Sequence, residues 1–89
     1  MKQTQEKTYE EQDVLEMLDT LKKRYTSASI NHLDGLVLEV QNQTKELLPG
    51  IGNDLTCDQY FSGGTEHITC SLEFSLRDRY VGTLEISVL

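Results

Sequence analysis

Two small groups of side chains in this sequence have the types that chemistry uses. The first is Asp58, Tyr60, His67 and Thr69, which sit on either side of a glycine pair, Gly63-Gly64. A histidine near a carboxylate is the beginning of an acid–base site, because imidazole titrates near neutrality and a carboxylate can orient it. The second is Cys57 and Cys70, the two cysteines of the chain. Two thiols can close a disulfide, serve in a metal site, or fill a core.

Which of these residues meet depends on the turn between them. A Gly-Gly pair between segments of alternating polarity signals a two-residue β-hairpin. With Gly63 and Gly64 as the loop, Phe61 faces Glu66, Tyr60 faces His67, Asp58 faces Thr69 and Cys57 faces Cys70. Hydrogen-bonded pairs alternate outward from the loop, so the cysteines occupy a non-hydrogen-bonded pair, where side chains approach most closely. Cys57 and Cys70 are therefore expected as a cross-strand pair whose geometry permits a disulfide. Reduced core cysteines are the alternative that a reducing compartment favours. With no third cysteine and no inward histidine, the pair makes a poor zinc site, and no cofactor is implied.

The same register gathers Asp58, Tyr60, His67 and Thr69 on the polar face of the sheet, with Glu73 and Glu85 on that face too. No nucleophile pairs with His67, and a flat sheet excludes little water, so a catalytic role lacks its constellation. Tyrosine and histidine suit contact with a partner, and a solvated surface is the plain alternative. Gly50-Ile51-Gly52 is a fragment of the dinucleotide fingerprint, but position 55 is leucine and the fragment precedes a strand rather than following one.

The elements that would carry these residues are set by periodicity. From Tyr9 to Tyr25 the pattern is helical, with Val14, Leu18, Leu21 and Tyr25 on one face and Leu15 and Met17 beside it. Thr8 and Glu11 read as a capping box. Glu10, Glu11 and Asp13 near its start and Lys22, Lys23 and Arg24 near its end suit the helix dipole. Residues 26–29 break the pattern, and Ser27 or Ser29 can cap a second helix. Ile30, Leu33, Val37, Val40, Thr44 and Leu47 predict that helix over about 29–48, ended by Pro49-Gly50. Its rival is a strand near 36–41 after an Asp34-Gly35 turn, followed by a short helix. Beyond residue 54 the period becomes two. Leu55, Cys57, Gln59 and Phe61 mark a first strand. Residues 66–76 mark a central strand, with Ile68, Cys70, Leu72 and Phe74 inward. Tyr80, Leu84, Ile86 and Val88 mark a third, with Thr83, Glu85 and Ser87 outward.

The expected architecture is a two-layer α+β domain spanning 8–89, two helices on a three-stranded antiparallel meander in the order ααβββ, after a disordered N-terminus, 1–7. Fifteen acidic against eight basic residues give a net charge of −7. That charge disfavours nucleic acid and anionic membrane surfaces as partners, since phosphate binding needs a cationic patch. It suits a protein partner with a basic surface. No stretch has the roughly 20 apolar residues of a membrane span, and no secretory signal is visible, so a cytoplasmic setting is expected. The last strand, 81–89, lacks lysine, arginine and proline, which makes it an edge on which a homodimer can form. The function expected is a small, acidic, non-enzymatic protein-binding module of inhibitor, immunity or adaptor type. The alternatives are a small-molecule binder or enzyme with a site between subunits, and a structural subunit of a larger assembly.

Overall fold

The computed structural model describes residues 8–64 and 67–88. The N-terminal segment 1–7, expected to be disordered, and Glu66 of the expected central strand lie outside the described residues. Helix α1 (Glu11–Arg24) is followed by a two-residue strand β1 (Ser27–Ala28), a 3₁₀ turn and helix α2 (Leu33–Leu47). A second 3₁₀ turn then leads into β2 (Leu55–Gly63), β3 (Ile68–Leu76) and β4 (Arg79–Val88). The last three strands form the antiparallel meander, and the helices cover one of its faces. This is the expected two-layer α+β arrangement in the order ααβββ. To it β1 adds a short parallel pairing, Ser27 with Ser87 and Ala28 with Val88, so the sheet order is β1-β4-β3-β2.

Helix α1 buries Val14, Met17, Leu18 and Leu21, as its periodicity predicts. Its start differs from the expected Thr8–Glu11 box. Glu10 is the N-cap, and its N–H donates to the Asp13 carboxylate at 2.8 Å, so Asp13 rather than Glu11 satisfies the end. The second helix prevails over the strand near 36–41. A helical turn puts Leu33, Val37, Val40 and Thr44 on one buried face, whereas a strand would split Val37 from Leu36 and Leu38. Ser29 sits at its approach, where its hydroxyl accepts the Asn31 N–H at 3.1 Å.

Together Val14, Leu18, Leu21, Val40, Cys70, Leu72, Phe74, Leu84 and Ile86 form the fully buried centre. Polar ties hold the layers in place. The Tyr25 hydroxyl donates to Glu39 at 2.8 Å, joining the end of α1 to α2. The Tyr9 hydroxyl donates to the Pro49 carbonyl at 2.6 Å, and the Arg77 guanidinium donates to the Tyr9 carbonyl at 2.9 Å. Among the described residues, no helix is long and apolar enough to cross a membrane.

The β2–β3 hairpin departs from expectation. Gly63 is the last residue of β2 and pairs with Ile68, so the two-residue Gly63-Gly64 turn is not formed. The inner-face residues explain why. A two-residue turn sets Phe61 against Glu66 on the apolar face. The observed register sets Phe61 against Cys70, Cys57 against Phe74 and Leu55 against Leu76. Apolar cross-strand pairs stabilise a sheet, and an inward carboxylate costs desolvation. Gly63 takes φ +116°, and a Cβ there would lie 2.0 Å from the His67 carbonyl oxygen.

A second departure lies in β4. Ser75 pairs with Tyr80 and Phe74 with Gly82, leaving Val81 as the extra residue of a β-bulge. The bulge moves Tyr80 from the expected inner face to the outer one, where it is 59% exposed.

Candidate functional site

Among the described residues no helix lies on the outer face of the sheet, and the strand register orders its side chains into rows. Thr56, Ser75 and Tyr80 form one row, and Asp58, Glu73 and Thr83 the next. Tyr60, Ser71 and Glu85 come after them, then Ser62, Thr69 and Ser87. No lysine or arginine stands in these rows. Asp58 lies directly opposite Glu73, and Glu85 sits one row further along the neighbouring strand, so three carboxylates share the middle of the face. Tyr60 is 52% exposed beside them. Tyr80 and Thr83 share a hydroxyl–hydroxyl hydrogen bond.

Of the six residues expected on this face, Asp58, Tyr60, Thr69, Glu73 and Glu85 are on it, but not in the expected pairs. Asp58 meets Glu73 rather than Thr69, and Tyr60 meets Ser71 rather than His67. His67 belongs to the loop before β3. Between Asp58 and Gly63, whose partner Ile68 comes directly after His67, lie roughly 17 Å of strand. The register therefore separates the imidazole from the carboxylate that would have oriented it.

Cys57 and Cys70 are likewise not opposite one another, which corrects the expected cross-strand pair. Cys57 pairs with Phe74 and Cys70 with Phe61, an offset of roughly 13 Å along the strands and too far to bridge. Both are free thiols. Burial, and then the nearby Asp58 carboxylate, push the Cys57 thiol up to about 11. Burial also raises Cys70, although a hydrogen bond with the Gln59 side chain opposes it. Raised thiols are protonated and poorly nucleophilic at neutral pH. Among the described residues, no group of three or more His, Cys, Asp or Glu could hold a metal ion.

Three surface residues had no functional signal in the sequence. Tyr80 was hidden by the bulge. Phe61, although on the helix-facing side of β2, is 55% exposed, and Leu38 on α2 is 59% exposed. Between Leu38 and β2 runs a groove of about 340 Å³, lined in part by Ile51, Leu55, Cys57 and Phe74.

Comparison of the chain with protein-family models, with curated proteins and with solved structures gives no match.

Proposed function

We propose that this chain is a non-enzymatic binding module that takes a basic protein surface on the outer face of its sheet. The observation that carries the reading is the Asp58–Glu73 pair. Like charges directly opposite on neighbouring strands destabilise a sheet, and folding alone gives no reason to hold them there without a cation. A lysine or arginine from a partner relieves that repulsion on binding. Glu85 extends the same potential, and Tyr60 and Tyr80 supply the amphipathic contact area that interfaces favour. The separation of His67 from Asp58 and the protonated state of both thiols support a role in binding over catalysis. Two free cysteines fit a reducing compartment and support a cytoplasmic setting.

The test is comparative capture from source-cell lysate, with mass spectrometry, using the parent chain, a Glu73→Lys/Glu85→Lys variant, and a Glu46→Lys control on the exposed side of α2. The expected result is a stoichiometric basic protein retained by parent and control, lost on the double variant, and released as salt is raised. Equal retention by the double variant would overturn the reading. So would a small metabolite co-purifying in place of a protein.

A further inference from the structure

We infer that the free edge of β2 is the seam of a homodimer, in which two copies pair antiparallel about a two-fold axis through Gln59. The sequence alone points to the last strand as the dimer edge; β1 pairs there with Ser87 and Val88, and the Ser87 N–H donates to the Thr26 carbonyl at 3.1 Å, so that strand is not free along its whole length. Among the described residues the other edge of the sheet is β2, which pairs with β3 on one side only. From Leu55 to Gly63 it contains no lysine, arginine or proline, the residues that usually discourage edge pairing.

The strand is complementary to itself in one register. Centring the axis on Gln59 matches Leu55 with Gly63 and Cys57 with Phe61 on the helix side. It matches Thr56 with Ser62 and Asp58 with Tyr60 on the outer side. All of β2 is then paired. Moving the axis to Asp58 would oppose that carboxylate with its own copy, which costs stability. Moving it to Tyr60 leaves Leu55 and Thr56 unpaired and sets Phe61 against Gln59.

The chosen register also resolves the exposed apolar surface. Phe61 is left 55% exposed by its own chain, whereas Cys57 lines the groove together with Leu38. Opposing Phe61 to the partner's Cys57 points each ring into the other copy's groove, among Leu38, Ile51, Leu55 and Phe74. Leu38 of α2 shares its groove with Leu55 and Cys57, so the two-fold axis sets the two α2 helices toward opposite ends of the seam. Each copy covers in its partner what it leaves bare in itself, the requirement for an isologous interface.

Sedimentation equilibrium should show the parent chain at twice its 10.1 kDa mass at micromolar concentration. Phe61→Glu should weaken dimerisation on the order of 100-fold or more, because each dimer loses the aromatic anchor twice. Since Phe61 is more than half exposed, the variant's circular dichroism should stay that of the parent, and its melting temperature should lose only the concentration-dependent part that dimerisation contributes. Gln59→Lys, which opposes two cations at the axis, gives the same result through a residue outside the core. Register is read by oxidative cross-linking between chains in a Cys57→Ala/Cys70→Ala background, because the Gln59 side chain reaches Cys70 within one copy. Thiols at position 59 on the axis should be about 4.5–5.5 Å apart at Cα, within disulfide reach, so Gln59→Cys should link faster than Asp58→Cys or Tyr60→Cys. A parent that sediments as a monomer up to its solubility limit would overturn the proposal and leave the edge to a strand from another protein. Faster linking at position 58 or 60 would overturn the register.

Discussion

Replacing Gly63 and Gly64 one at a time by alanine separates the observed hairpin from the two-residue turn that the glycine pair suggests. Gly63 is held at φ +116°, and an added Cβ would meet a backbone oxygen, that of His67, at 2.0 Å. A side chain could rotate away from such a contact, but a carbonyl oxygen moves only with its strand. A non-glycine residue in a sparsely populated region costs about 1–3 kcal/mol. The steric contact adds to that, and for a domain of this size each 1 kcal/mol lowers the melting temperature by roughly 4–8 °C. Gly64 has open space around its Cα and no positive φ. Alanine there should be neutral or stabilise by about 0.4–1 kcal/mol through the unfolded chain. Urea and thermal denaturation monitored by circular dichroism should therefore show a large loss for Gly63→Ala and none for Gly64→Ala. A two-residue type I′ turn needs positive φ at both positions, so equal losses would refute the observed register. Cys57 and Cys70 would then face one another, and mild oxidation would cross-link the monomer internally.

Two further outcomes test the core and its thiols. Leu72 is fully buried on the central strand, so Leu72→Ala should cost about 2–5 kcal/mol in urea unfolding; a loss under about 0.5 kcal/mol, the range of an ordinary surface substitution, would mean that the inner and outer faces are exchanged. Burial moves the Cys57 thiol from 9.0 to about 11, so above pH 9 the unfolded chain loses this proton first and stability falls as pH rises, levelling near 11. The denaturation midpoint of Cys57→Ala should fall less steeply across that window, though not flatly, because Cys70 and Tyr25 are also raised by burial; a slope equal to the parent's would show that Cys57 is not desolvated.

The legible part of the sequence was periodic, and the illegible part depended on single residues. Val14, Leu18 and Leu21 recur at helical spacing and are buried together. Cys70, Leu72 and Phe74 alternate and point inward. Layer order and face assignment come from those repeats. Register does not, because sliding one strand by an even number of residues keeps every side chain on its face. Gly63-Gly64 gave the more visible cue, whereas the deciding one was energetic: Phe61 must not oppose Glu66 on the apolar side. Weighing that pair would have favoured the observed register. The bulge at Val81 left no mark, since Tyr80, Leu84 and Ile86 keep an even spacing that conceals one extra residue. Two residues of β1 are too few to show any period. At the candidate site, alternation assigned Asp58, Tyr60, Thr69, Glu73 and Glu85 to the outer face, and the slipped register misassigned their neighbours.

The Asp58–Glu73 pair allows stability and binding to be set against one another. Like charges facing one another on adjacent strands are destabilising, on the scale of about 0.2–1 kcal/mol that single cross-strand pairs contribute, and no cation stands in the row of Asp58 and Glu73 to offset it. Asp58→Asn and Glu73→Gln should each raise the urea midpoint by an amount in that range. The double variant should gain little beyond either single one, because the repulsion is removed once; a double-mutant cycle measures that non-additivity directly. The gain should shrink as salt is added, the Debye length being about 10 Å at 0.1 M. Additive effects, or a loss on either substitution, would mean that the two carboxylates do not face each other. The same variants should bind the basic partner more weakly, with opposite signs for folding and for recognition. A solvated surface with no partner would show the gain in stability and nothing lost. A chain of this size has little stability to spare, so a charge pair that weakens folding and strengthens binding marks where the outer face works.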